Sequence, residues 1–181
     1  RGDAREVRAA VTGPYDTVIT SPPYPNRMSY IRELRPYMYW LGYLADGREA
    51  GEMDWKAIGG TWGIATSRLQ QWESNGATIE HDGFGEMIDH IAEVSPILAR
   101  YVHKYFADIA CHLQSLKTVL APGARAFYIV GNSKFYDTLV PVERIYASLM
   151  KQTGFGDVRI ATLRKRNSKK ELLEFCVSAT S

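Results

Sequence analysis

The tetrapeptide Ser21-Pro22-Pro23-Tyr24 follows directly on the strand-like run Asp16-Thr17-Val18-Ile19-Thr20. Neither proline has an N–H and each fixes φ at about −65°, so a strand entering this corner stops pairing and continues as a stiff, extended turn. Such a turn holds the Ser21 hydroxyl and the carbonyls of Ser21 and Pro22 in place, with the Tyr24 ring just beyond them. Oxygen acceptors beside a flat ring suit an amino group carried on a planar heterocycle. The plainer alternative is a Pro-Pro loop, ordinary turn punctuation, whose tyrosine simply packs.

Upstream lies Gly2-Asp3-Ala4-Arg5, and after the prolines come Asn26, Arg27 and Tyr30. The whole stretch, from GDAREV to TSPPYPNRMSY, resembles the amino-methylating DNA methyltransferases, which modify the exocyclic nitrogen of cytosine or adenine. The resemblance implies S-adenosylmethionine as cofactor, double-stranded DNA as partner and the Ser21-Pro22-Pro23-Tyr24 loop as catalytic motif. It further implies that Asp3 accepts from the adenine amino group of the cofactor, that Ala4 offers backbone contacts and that Ser21 borders the same pocket. Standing alone, Asp3 reads equally well as a loop or helix-cap aspartate. A serine opening the motif favours cytosine N4 over adenine N6, in a bacterial restriction–modification setting with a restriction partner or the rest of the same polypeptide nearby.

The chemistry fits the residue types. An exocyclic amino nitrogen is a poor nucleophile because its lone pair is delocalised into the ring. Two acceptors, the Ser21 side chain and the Pro22 carbonyl, would take its two N–H bonds and draw it towards tetrahedral geometry, which is orientation and electrostatic preorganisation without a covalent intermediate. Asn26, Arg27 and Tyr30 are then placed for the target strand. Arg164, Arg166, Lys169 and Lys170, in a turn with five basic residues between 164 and 170, are candidates for DNA phosphates. A solvated hairpin would carry the same charges.

One family signature is not found, an aromatic-x-Gly-x-Gly loop around the methionine part of the cofactor. Gly154-Phe155-Gly156 follows a predicted helix and reads as a C-cap and turn; Gly59-Gly60-Thr61-Trp62-Gly63 has no apolar strand before it. With Arg1-Gly2-Asp3 beginning in the middle of a motif, the expectation is a piece of a longer enzyme. Two rivals stand beside this reading. One is an amino-methyltransferase acting on RNA or a protein amide, whose relatives mostly carry Asn-Pro-Pro-Tyr; the other is a non-catalytic nucleic-acid-binding domain of the same fold.

The elements that must position these residues follow from periodicity. A short strand is expected over 15–21. A helix over 27–44 carries Met28, Ile31, Leu34, Met38, Leu41 and Leu44 as an apolar stripe, with Pro36 inside it. An irregular, partly helical insertion follows, about 45–84. A long helix over 85–120 breaks and restarts at Ser95-Pro96, because proline suits a first helical position. Ala126 to Val130 reads as a strand buried on both faces, and Gly131-Asn132-Ser133 closes it. A helix over 140–153 and two strands, 158–165 and 172–179, complete the pattern. The fold class expected is α/β: a partial, mostly parallel, Rossmann-like sheet with a terminal antiparallel hairpin, forming one domain over 1–181. Ligand sites in such sheets lie at the carboxyl ends of strands, so the Pro-Pro corner and the Gly131-Asn132-Ser133 loop should share a cleft.

With 181 residues, 45% of them hydrophobic, the chain can bury a sizeable core. Its 22 basic and 20 acidic residues balance too evenly for a general polyanion-binding surface, so any such surface is local. Cys111 and Cys176 are expected to be buried free thiols of a reducing compartment. The four histidines lack ligand spacing, so no metal is expected and each should be a surface or satisfied core histidine. The four tryptophans are expected to pack. No run approaches the ~18 apolar residues of a membrane span, which leads to the expectation of a cytoplasmic protein.

Overall fold

The computed structural model describes residues 2–26, 29–58, 66–74, 78–165 and 171–181. A single helical turn, α1 (Val7–Ala10), leads into a central sheet of four strands: β1 (Tyr15–Thr20), β2 (Leu120–Gly131), β5 (Gly156–Lys165) and β6 (Leu173–Thr180), ordered β1-β2-β6-β5. β1 runs parallel to β2, while β6 is antiparallel to both β2 and β5. Three of the four strands therefore point the same way, and the open sheet ends in an antiparallel hairpin as expected. Among the described residues β1 is an edge, paired on one side only, with Ile19 75% exposed.

Two helices build the main core. Ser95 caps α6 (Pro96–Lys117), its Oγ accepting from the Leu98 N–H, and Pro96 occupies the first turn. The preceding α5 (Phe84–Val94) stops at the same serine, as the Ser-Pro pair predicts. α7 (Val142–Gln152) ends on Gly154 at φ 83°, where the Phe155 N–H reaches Met150 O and the Gly154 N–H reaches Lys151 O. That Schellman pattern is why the Gly-Phe-Gly triplet is a cap. α6 and α7 bury Leu98, Val102, Ile109, Leu113, Ile145 and Leu149 in one apolar cluster with Ala126, Tyr128, Val130 and Val177 of the sheet.

Several expectations need correcting. β2 is buried on one face only: Ala126, Tyr128 and Val130 are buried, whereas Phe127 and Ile129 on the other face are half-exposed. The predicted apolar stripe after the Pro-Pro corner becomes α2 (Tyr30–Trp40), which has no buried residue, and Leu34 and Leu41 are exposed. Met28 lies outside the described residues. Trp40 is 84% exposed rather than packed, while Trp55 and Trp72 do pack on the core. Both cysteines are free, but Cys111 is exposed on the outer side of α6 and Cys176 is only half-buried. A short hairpin, β3 (Ser133–Phe135) with β4 (Thr138–Val140), was not expected; Tyr136 makes its turn at φ 53°. The insertion holds α3 (Gly47–Lys56) and α4 (Thr66–Gln71). No described helix is long and apolar enough to cross a membrane.

Candidate functional site

β1 ends at Thr20 because the next residues cannot pair, and its parallel register with β2 puts the carboxyl ends of both strands at one edge of the sheet. The corner emerging there is open: Ser21 is exposed, and Pro22, Pro23 and Tyr24 are half-buried. Its far end is held twice. The Tyr105 hydroxyl of α6 donates to the Pro23 carbonyl at 2.9 Å, and the Tyr24 hydroxyl donates to Glu174 Oε1 at 2.9 Å. Glu174 stands on β6 opposite Gly131, and its other oxygen accepts from Arg164 Nε at 2.5 Å.

The Gly131-Asn132-Ser133 loop is linked to the corner through Glu174, which stands opposite Gly131 and accepts from Tyr24, but the cavity beside the loop is lined by Asn26 and by no residue of the Pro-Pro corner itself. Asn132 donates from Nδ2 to Glu171 O and accepts from the Leu173 N–H, both at 2.9 Å, so it pins the base of the last hairpin. A cavity of about 290 Å³ is lined by Asn26, Asn132, Ser133, Lys134, Tyr136 and Leu172 among others.

On the other side of the corner a larger cavity of about 780 Å³ brings together Asp3, Ala4, Pro23, Ile31, Met53 and Ile58, with Arg5 and Lys56 also on its wall. The Gly-Asp-Ala segment and the Pro-Pro corner, well separated in sequence, thus line one space. Asp3 caps the 3-10 turn Ala4–Glu6. Its Oδ1 accepts from the Arg5 N–H and Nε, at 2.9 and 3.0 Å, and its Oδ2 from Arg5 Nη2 at 2.6 Å. The helix-cap reading of Asp3 is therefore realised, and the guanidinium beside it holds its carboxyl below the usual range. A carboxylate offers about four acceptor positions, so one remains on Oδ2. Gly2 packs so closely on Ala10 that a Cβ would meet its methyl carbon at 2.6 Å, which is the local reason for glycine there.

Arg5 also donates to Asp108 Oδ1 at 3.1 Å and to Lys56 O at 2.9 Å. Asp108 in turn pairs with buried Lys104 at 2.6 Å, whose ammonium lies 5.0 Å from the centre of the Trp55 ring. One turn further along α6, His112 Nδ1 meets Ala4 O and its Nε2 meets the Tyr128 hydroxyl, each at 2.6 Å. A carbonyl only accepts, so Nδ1 carries the proton and Nε2 accepts from Tyr128. Burial holds the His112 pKa below its ordinary value and raises those of Tyr105, Tyr128 and Tyr146, which keeps the imidazole neutral and the phenols protonated. Sequence reading passed over Lys104, Tyr105 and Asp108, and took His112 as a surface or satisfied core histidine with no part in the site. The available signal was four polar-tipped residues recurring on one face of the helix.

Of the candidate DNA contacts, Asn26 is exposed on the rim of the smaller cavity and Tyr30, 37% exposed, opens α2. Arg164 is exposed but engaged by Glu174. Arg27, Arg166, Lys169 and Lys170 lie outside the described residues, as does the Gly59–Gly63 stretch. His81 bonds Ser148 and His112 is engaged at both ring nitrogens, while His103 packs edge-on to Trp72 and Phe84. No group of three metal-binding side chains occurs among the described residues.

No protein-family model matches the chain. It is similar to the type II methyltransferase M.BsoBI of Geobacillus stearothermophilus, 25% identical over 183 residues that cover 87% of this chain and 35% of that protein. The chain thus spans about a third of that relative's length. Among solved structures it is similar to a candidate DNA modification methylase of Thermus thermophilus, at a TM-score of 0.48 and 15% identity over 99% of this chain and 52% of that one. The same protein in complex with S-adenosyl-L-methionine gives a TM-score of 0.48 over 53% of its length.

Proposed function

We propose that this chain carries the base-holding half of an S-adenosylmethionine-dependent DNA methyltransferase that modifies an exocyclic amino group, cytosine N4 in preference to adenine N6. The observation that carries the reading is the exposed Ser21 of the Ser21-Pro22-Pro23-Tyr24 corner together with the larger cavity, in which Pro23 of that corner meets Asp3 and Ala4. The sequence similarity to a type II methyltransferase supports it independently.

The larger cavity has the size and the mostly apolar wall of a cofactor pocket, with a few polar groups to fix orientation. Its residues fit S-adenosylmethionine: Asp3 has an acceptor position left for an amino group, Ile31, Met53 and Ile58 offer apolar surface to a purine, and Ala4 offers backbone. The cofactor would supply a methyl group on a sulfonium. The corner supplies the rest. Ser21 Oγ and the Pro22 carbonyl accept the two amino N–H bonds and orient the nitrogen lone pair. Extruding the target base costs a few kcal/mol, and stacking on the Tyr24 ring, steadied by Glu174, returns roughly 1–3 kcal/mol. Asn26 and Tyr30 then border the extruded strand, with the basic turn on phosphates.

The test is transfer of labelled methyl groups to duplex DNA by the intact polypeptide. Ser21→Ala should lower kcat about 10- to 100-fold while leaving the cofactor dissociation constant within about twofold. Equal loss of both would take Ser21 out of the base pocket. One observation favours a second reading, a methyltransferase-like binding domain: Arg5 occupies most of the Asp3 carboxylate. Equilibrium binding of S-adenosylmethionine separates the two, since the binding domain would retain DNA and take up no cofactor.

A further inference from the structure

α6 reaches both motifs from beneath, through two groups seven residues apart on one face. Tyr105 donates to the Pro23 carbonyl and His112 to the Ala4 carbonyl. Residues at this spacing lie two turns apart, about 10 Å along the axis. Neither contact is required for packing: phenylalanine would fill both sites with similar shape, yet Tyr105 keeps a polar tip in a buried setting where an unpaired group is costly, and half-buried His112 has both ring nitrogens engaged. Both tips are themselves backed. The single hydroxyl hydrogen of Tyr105 goes to Pro23, so the Tyr146 hydroxyl, 2.8 Å away, must donate to Tyr105. Behind His112, Tyr128 donates to Nε2. Asp108, between the two on the same face, adds the tie to Arg5 and through it to Asp3.

The geometry points to Tyr105 and His112 as positioning residues that fix the spacing between the base-holding corner and the cofactor segment across the larger cavity. This rests on the methyltransferase reading of the two motifs. A proline carbonyl locked from below leaves the corner no freedom to swing as a hinge, and a transfer in line over a short distance is sensitive to misplacement of about 1 Å. Each residue acts on its own motif: Tyr105 on the corner that holds the base, His112 on the segment that borders the cofactor.

Three variants of the intact polypeptide test this. Tyr105→Phe should lower kcat for methyl transfer about tenfold or more with the cofactor dissociation constant within about twofold, whereas His112→Phe should weaken cofactor binding several-fold and move kcat less. Tyr146→Phe removes an equally buried hydroxyl but leaves the bond to Pro23, and should change kcat by less than about threefold. As a rescue, His112→Gln, which retains a donor, should recover much of the cofactor affinity. Equal losses of kcat and affinity in all three, the pattern of general loosening, would overturn the assignment. Amide hydrogen exchange keeps the test independent of turnover. Tyr105→Phe should accelerate exchange at Tyr24 and Asn26, and His112→Phe at Arg5 and Glu6, each roughly tenfold and without change in α7. If wild type neither binds cofactor nor transfers methyl but the local exchange pattern appears, the enzymatic reading falls and the positioning stands; uniform or absent acceleration refutes the positioning itself.

Discussion

α6 and α2 flank the same corner and could hardly differ more. Twelve residues of α6 are buried and none of α2 is, although both carry apolar residues at helical spacing. The corner is gripped from the α6 side, through Tyr105, and is open towards Ser21 and α2. Among the described residues the site is thus a fixed floor with an exposed flank: the core side sets positions, and the side of Ser21 and α2 stays open.

Three measurements sharpen or break that contrast. The largest effect is expected on the floor. Asp108→Ala would leave Lys104, 6% exposed, without its carboxylate partner and would remove one of the ties of Arg5, which keeps Asp3 and Lys56 O, a change that typically costs about 3–5 kcal/mol in urea unfolding. A loss below about 1 kcal/mol would mean that water reaches the ammonium and that the floor is softer than described. Next, Ile109→Ala in α6 should cost about 2–5 kcal/mol, since the side chain is fully buried, while Leu34→Ala in α2 should stay within about 0.5 kcal/mol. Comparable losses would show that the α2 flank is covered in solution. The smallest effect is on pH dependence. Burial holds His81, His103 and His112 below their ordinary value of 6.5. The unfolded chain therefore takes up protons first as pH falls through about 6.5, and stability is lost from there down to the lower folded values, with no such loss above. A series of thermal melts from about pH 8 to pH 5 should show the decline, and it should be shallower in His112→Gln.

Legibility in the sequence followed the range of the interactions. The Ser95-Pro96 break, the strand stopping at two prolines and the glycine cap after α7 are local devices, readable from a few consecutive residues. The hydrophobic period of α2 was equally readable, but a period says that a face exists, not that anything covers it; Leu34 and Leu41 are exposed for that reason. The same limit misassigned β2, whose continuous apolar run has only one buried face, and Cys111, which sits among apolar neighbours in sequence yet points outward. The β3–β4 hairpin was too short to show a period, and its turn depends on Tyr136 adopting a positive φ, which sequence does not advertise. At the site, the Pro-Pro corner and the Gly-Asp-Ala segment were identifiable from their residues, and their nearness only through the resemblance. Their fastening by Tyr105 and His112 was not, because contacts across 82 and 108 residues leave no local trace.

The one-sided pairing of Tyr15–Thr20 carries a last implication for handling this polypeptide. Among the described residues its outward amides and carbonyls, with Ile19 beside them, form a template that an extended stretch of sufficient β-propensity could copy, and Asp16 is the one charged residue of the six. Edge-to-edge association at high concentration is then the failure to expect of preparations containing this strand, and Ile19→Lys is the simplest gatekeeper to keep molecules apart.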